Sequence, residues 1–168
     1  MRRIVSSLVT LGTGLALASA AQAAPARPAT AYRLIDGGGA FTCAVTTAGA
    51  AKCWGQGFVG QLGDGAGIDR TRPVPVRGLT SGVVDISAGD THACAVTTRG
   101  AVYCWGSNAS GQLGDGTTNT RYVPALVRNL GGQAKSVTAG YQHTCALLTT
   151  GLVRCWGWNY WGQLGIGS

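Results

Sequence analysis

The segment from Ala88 to Gly116, AGDTHACAVTTRGAVYCWGSNASGQLGDG, recurs from Ala139 to Gly167 as AGYQHTCALLTTGLVRCWGWNYWGQLGIG. A more divergent copy runs from Gly37 to Gly65, GGGAFTCAVTTAGAAKCWGQGFVGQLGDG. Cys43, Cys94 and Cys145 lie 51 residues apart, as do Cys53, Cys104 and Cys155. A fixed period marks a repeat architecture, in which each unit buries its apolar surface only against its neighbours. Internal comparison separates positions that the architecture holds constant from positions left free, and function is sought among the free ones.

In the central copy, VVDISAG from Val83 is apolar and β-branched, His92 to Thr97 and Ala101 to Trp105 flank a turn at Gly100, and Tyr122 to Val127 is a fourth run. Four short runs with Gly-rich connections, and no amphipathic helical pattern, predict an all-β protein with one four-stranded propeller blade per repeat. Strand alternation puts Cys94, Val96, Val102 and Cys104 on one face and Ala93, Ala95, Tyr103 and Trp105 on the other. Both faces are apolar, as a sheet stacked between two neighbours requires. The Trp of each CWG, at 54, 105 and 156, is therefore expected at an inter-blade contact.

The six cysteines are ten apart within each copy, and the midpoints Ala48, Arg99 and Thr150 precede Gly49, Gly100 and Gly151. A three-residue hairpin loop with Gly at its left-handed last position sets Thr97 opposite Ala101 and Cys94 opposite Cys104. The same count pairs Cys43 with Cys53 and Cys145 with Cys155. Opposed strand residues are close enough for a disulfide, near the short end of the usual range. Each such bridge is worth about 2–3 kcal/mol through loop entropy. Zinc is disfavoured, because nine intervening residues exceed the usual ligand spacing.

At the amino end, Met1, Arg2 and Arg3 precede an apolar stretch from Ile4 to Ala20 and the triplet Ala21, Gln22, Ala23. Residues 1–23 read as a secretory signal peptide, residues 24–36 as a disordered Ala- and Pro-rich lead, and residues 37–168 as the repeats. Export and an even cysteine count point to an oxidising compartment, secreted or periplasmic or at the cell surface. Removing Arg2 and Arg3 from the formal charge of +7 leaves about +5, carried by arginines that form no run. Nucleic acid is not an expected partner, since only net charge favours it. No membrane span is expected once the leader is removed.

The GQLGDG motifs at 60–65 and 111–116, and GQLGIG at 162–167, lack the Lys and Ser or Thr of a phosphate loop and the several carboxylates of a calcium loop. Ile166 in place of Asp64 and Asp115 fits a structural turn. His92 and His143 are equivalent to Phe41, which suits a packed, hydrogen-bonded residue better than a metal ligand or general base. No nucleophile motif is present, so no catalytic residue, metal or cofactor is assigned and the protein is read as a non-enzyme. Asn108, Ala109 and Ser110 form a glycosylation sequon, relevant only to a eukaryotic secretory route.

The segments from Ala88 and Ala139, with Pro73, Val76 and Leu79 and then Pro124, Val127 and Leu130, resemble repeats of the regulator of chromosome condensation family. The likeness covers roughly Gly37 to Ser168. It implies a propeller, usually of seven blades, in a family that includes chromatin-bound guanine-nucleotide exchange factors and secreted bacterial proteins resembling β-lactamase inhibitors. Fold does not choose among these; the leader and paired cysteines favour the secreted, bacterial-type branch.

From Gly37 to Ser168 is 132 residues, about 2.6 periods: a half repeat, two full repeats and a half. The halves are expected to combine into one further blade, giving three. Three wedges do not close a ring, so an incomplete propeller or a fragment is expected, with self-association through open blade edges.

Between the constant flanks CWG and GQLG the loop varies: residues 56–59, 107–110 and 158–161. One variable loop per blade on a constant frame is how such scaffolds present binding surfaces. Phe58, Trp158, Tyr160 and Trp161 are candidate partner contacts, because aromatic rings anchor interfaces. Arg70, Arg72, Arg121 and Tyr122, on a second connection, are candidate polar contacts. The expected function is a secreted module that binds a protein or envelope component without chemistry of its own. An extracellular protein inhibitor is a specific alternative, and an exchange factor or a secreted enzyme the less favoured ones.

Overall fold

A computed structural model describes residues 30–167 of the chain. Eleven strands and no helix form among the described residues: β1 Tyr32–Gly37, β2 Phe41–Thr46, β3 Ala51–Gly55, β4 Arg70–Pro75, β5 Val83–Ala88, β6 His92–Thr97, β7 Val102–Gly106, β8 Arg121–Leu126, β9 Ala134–Ala139, β10 His143–Leu148 and β11 Val153–Gly157. They make three antiparallel sheets in sequential order, β1-β2-β3-β4, β5-β6-β7-β8 and β9-β10-β11.

The register of each hairpin follows from its turn. Thr97 N–H donates to Ala101 O, and Gly100, with φ of 71°, closes the loop by donating to Thr97 O. Cys94 then falls opposite Cys104, Cys43 opposite Cys53 and Cys145 opposite Cys155. All three pairs are disulfide-bonded, with Cα–Cα distances of 4.1, 4.1 and 4.0 Å.

Each sheet has a disulfide face and a tryptophan face, and sheets stack disulfide face to tryptophan face. Cys43, Val45, Ala51 and Cys53 of the first sheet share one apolar cluster with Ile86, Ala93, Ala95 and Trp105 of the second. Cys94, Val96, Val102 and Cys104 of the second pack with Val137, Ala146 and Leu148 of the third, and with the half-buried Trp156. Burying a side chain such as Val96 or Val102 contributes about 1.5–3 kcal/mol, and these seams hold most of the fully buried ones.

The GQLG loop serves the same seams. Its Gln side chain closes the loop, Oε1 of Gln61 accepting from Val59 N–H and that of Gln112 from Ser110 N–H. Its Leu enters the core, where Leu62 and Leu113 are buried. Its Gln carbonyl accepts from the Trp of the next sheet: Trp105 Nε1 donates to Gln61 O and Trp156 Nε1 to Gln112 O, both at 2.9 Å. Gly63 is required there twice over: φ is 66°, and a Cβ would stand 2.9 Å from the Trp105 indole.

Along the first strands a second set of bonds crosses each seam. Asp36 Oδ2 accepts from Ala88 N–H, and at the equivalent place Ser87 Oγ accepts from Ala139 N–H. Gly39 N–H donates to Gly89 O and Asp90 N–H to Gly140 O. The Arg33 guanidinium donates to Val83 O.

Two expectations are corrected. The lead assigned to residues 24–36 overlaps β1, which starts at Tyr32 because pairing with β2 and the Asp36 bonds to the second sheet hold it extended; the signal peptide of residues 1–23 lies outside the described residues. Nor do two half repeats combine into one sheet. β1 to β4 complete the first sheet by themselves, and β9 to β11 form the third.

Candidate binding surface

The loops after β3, β7 and β11 share a buried skeleton. Asn108 is fully buried: its Oδ1 accepts from Leu113 N–H, and its Nδ2 donates to Thr117 O and Asp115 Oδ1. Asn159 Oδ1 accepts likewise from Leu164 N–H. The second position of the loop is thus structural in two of three copies, which narrows the variable surface expected from sequence and encloses the Asn108 sequon in the fold.

The positions on either side do project outward. Tyr160 and Trp161 are 72% and 76% exposed. Trp158, half-buried, stacks on Tyr160 with centroids 5.9 Å apart and planes 12° apart, and Tyr160 meets Trp161 edge to face at 4.7 Å. Tyr141, in the β9–β10 turn, adds a fourth ring 6.3 Å from Trp158. Pairing of His143 with Gly157 brings the β9–β10 turn beside the loop after β11, which places Tyr141 there. Sequence reasoning missed Tyr141, although the 51-residue period sets it in place of Asp90 and Gly39, at a position as variable as the loop itself.

Phe58, also exposed, belongs to a different neighbourhood. Its carbonyl accepts from the Tyr122 hydroxyl at 3.4 Å across the first seam. The Tyr122 ring lies over Gly67, where a Cβ would stand 2.7 Å from it, and Tyr122, 44% exposed, presents its remaining surface beside the first seam. Arg72 is exposed and remains on the second connection.

Arg70 and Arg121 are engaged within their own sheets. Arg121 Nε donates to Asp115 Oδ2 at 2.7 Å and Arg70 Nε to Asp64 Oδ2 at 2.8 Å. Asp115 is buried and also accepts from the amide and hydroxyl of Thr117. Burial alone raises its pKa, but the hydrogen bonds from Thr117 and Arg121 outweigh that and hold it below the usual value. The Asp-to-Arg spacing of six residues in both copies was the available signal for this pair.

His92 is fully buried in the second seam, its Nε2 2.9 Å from Thr144 Oγ1. Because the Thr144 hydroxyl donates its one proton to Gln112 O, Nε2 carries the hydrogen and Nδ1 is bare. Desolvation first, and the nearby His143 second, lower the His92 pKa to about 4. A neutral imidazole with one structural hydrogen bond and no facing nucleophile has a packing role. Among the described residues no group of three or more His, Cys, Asp or Glu is placed to hold a metal, and no helix is long and apolar enough to cross a membrane.

Comparisons with known proteins agree with this geometry. The family described as Regulator of chromosome condensation (RCC1) repeat matches residues 52–96 and 99–147, and a second pattern of that description matches 83–112 and 134–163. The first match begins in β3 and ends in β6, so one repeat as the family counts it straddles two sheets. The ultraviolet-B receptor UVR8 of Arabidopsis thaliana is 40% identical over 117 residues, 68% of this chain and 27% of the receptor. The human E3 ubiquitin-protein ligase HERC2 is 41% identical over 118 residues, 69% of this chain and 2% of the ligase. Among solved structures, Prp20p of Saccharomyces cerevisiae superposes with a TM-score of 0.70 at 22% identity, covering 82% of this chain and 35% of Prp20p; that protein is described with its binding to Gsp1p and histones. Human WBSCR16 gives a TM-score of 0.69 at 23% identity, over 76% of this chain and 33% of its own. The chain therefore spans about a third or less of each of these relatives.

Proposed function

The chain belongs to the regulator of chromosome condensation (RCC1) repeat family, and from that premise we propose that it is a binding module whose partner is a protein or an envelope component. One observation carries the reading: the contiguous array of Tyr141, Trp158, Tyr160 and Trp161 on the third sheet's loops. Four rings in successive contact lose little side-chain entropy on binding and offer a large apolar area with polar tips, the composition of interface anchors. Arg72 and Phe58 extend the same reading to the neighbouring loops.

No chemistry of its own is assigned to the module. The buried His92 is committed to packing, and the ligase name of HERC2 describes a protein of which this chain matches 2%. Three disulfides, together with the leader-like residues 1–23, favour action in a secreted, periplasmic or cell-surface setting, which makes an exchange function on a cytosolic GTPase the weaker reading. An extracellular protein inhibitor is one form such a module takes.

The test is capture from envelope and culture-supernatant extracts by the immobilised oxidised chain. A partner whose recovery falls at least about tenfold with Tyr141→Ser and Tyr160→Ser, in variants of unchanged thermal stability, supports the reading. Undiminished recovery with both variants sinks it.

A further inference from the structure

A polar hollow of about 420 Å³ lies where the first sheet joins the second, walled by the connection from β4 to β5 and by the β6–β7 turn. We propose that it binds a phosphate ester, whose doubly charged head group is held between the guanidinium groups of Arg77 and Arg99. The site lies apart from the aromatic loops of the third sheet, and the inference does not depend on them.

The first argument is charge. Arg77 and Arg99 both line the hollow, and no acidic residue does. All six acidic residues of the chain are aspartates, and each is placed elsewhere. Asp64 and Asp115 pair with Arg70 and Arg121, the two ion pairs among the described residues. Asp36, Asp69 and Asp85 accept from the backbone amides of Ala88, Gly57 and Val137. Asp90 precedes β6, at the opposite end of that strand from Arg99. Two like charges therefore share one hollow without a counter-charge, and a bound anion relieves their repulsion.

The second argument is the chemistry of the lining. Arg77 is fixed at its backbone, where its N–H donates to Gly63 O. Its head lies over the Gly65 backbone beside β8: a Cβ at Gly65 would stand 3.3 Å from Arg77 Cζ and 3.4 Å from Val123 Cγ1. Arg99 is exposed in the turn that Gly100 closes, so an anion reaches both heads without opening the fold. A planar guanidinium matches a phosphate through paired N–H bonds, and two of them suit a dianion. Ser81, Thr98 and Tyr103 add hydroxyls to the lining as donors to the remaining oxygens. A bare phosphate fills only part of such a volume, and the Tyr103 ring with Pro124 gives an organic substituent an apolar wall.

The third argument is that the repeat does not require this constellation. One period later Thr150 stands in place of Arg99, Gln133 in place of Gly82 and Gly132 in place of Ser81, while Arg128 keeps the place of Arg77. The two-arginine clamp thus belongs to the first seam alone of the two, at positions the architecture leaves free.

Isothermal titration calorimetry of the oxidised full chain with glucose 6-phosphate, at low salt and about pH 7.5 where the ester is doubly charged, tests the assignment. One saturable site is expected, with inorganic phosphate binding more weakly and glucose giving no heat of binding. Arg77→Gln and Arg99→Thr should each weaken binding by at least about tenfold. The second change installs the residue that Thr150 already supplies in the equivalent turn, so the fold is kept. Arg128→Gln removes the same charge from the equivalent place in the second seam and should leave affinity within about twofold. No saturable binding of either phosphate species, an ester held no tighter than inorganic phosphate, or full affinity in Arg77→Gln or Arg99→Thr would overturn the proposal. An equal loss in Arg128→Gln would overturn it too, because binding would then follow net charge rather than the clamp.

Discussion

The imidazole Nε2 of His92 and the hydroxyl of Thr144 meet at 2.9 Å across the seam between the second and third sheets. The equivalent positions in the first seam are Phe41 and Ala93. One architectural site is thus filled by a polar pair in one seam and an apolar pair in the other, and its chemistry depends on both partners together.

Acid should weaken the fold through His92. Its folded-state pKa of about 4 lies below the ordinary histidine value of 6.5, so between those values the unfolded chain binds the extra proton and the folded chain does not. Stability is full above about pH 6.5 and is lost as pH falls toward 4, by about 3 kcal/mol at most from this residue. Urea titrations at a series of pH values check it; equal His92-dependent stability at pH 7 and pH 4 contradicts it.

Converting the second seam to the first seam's chemistry gives a paired test. His92→Phe alone should cost about 1–3 kcal/mol, from the lost hydrogen bond and a larger ring against Thr144. Adding Thr144→Ala should recover about 1 kcal/mol or more, a coupling that a double-mutant cycle measures. Strict additivity of the two changes would show that the pair does not act as a unit.

The two equivalent ion pairs should differ in weight. Asp115 is 4% exposed and receives bonds from Thr117, Asn108 and Arg121, whereas Asp64 is 10% exposed and receives them from Ala66 and Arg70. Asp115→Ala should cost about 2–3 kcal/mol and Asp64→Ala about 1 kcal/mol. Thermal unfolding of the two variants side by side gives the order, and a larger loss for Asp64→Ala would reverse this account.

The disulfides should reduce in sequence. Cys43, Cys53, Cys94 and Cys104 are fully buried within seams, while Cys145 and Cys155 are part-exposed on the open face of the third sheet. In dilute solution Cys145–Cys155 should be cut first, since access governs exchange. Timed alkylation followed by peptide mapping reads the order directly.

Much of the frame was legible because local geometry determines it. The Gly at 49, 100 and 151 defines a three-residue turn, the turn defines the register, and the register brings each cysteine pair together. Strand alternation likewise placed Trp105 in a seam. What escaped was set by neighbours distant in sequence. The stretch around Leu34 and Asp36 becomes a strand through pairing with β2 and bonds to the second sheet. Arg121 looked free because Asp115 faces it only after the loop folds back. Tyr141 joins Trp158 only once β10 and β11 are paired.

The stagger between repeat and sheet has a bearing on how such chains change in length. A family repeat runs from the last two strands of one sheet into the first two of the next, so duplicating it in a gene lengthens the stack by a sheet and a seam together. Recombination between repeats can therefore vary the number of sheets while every seam keeps the same pair of faces.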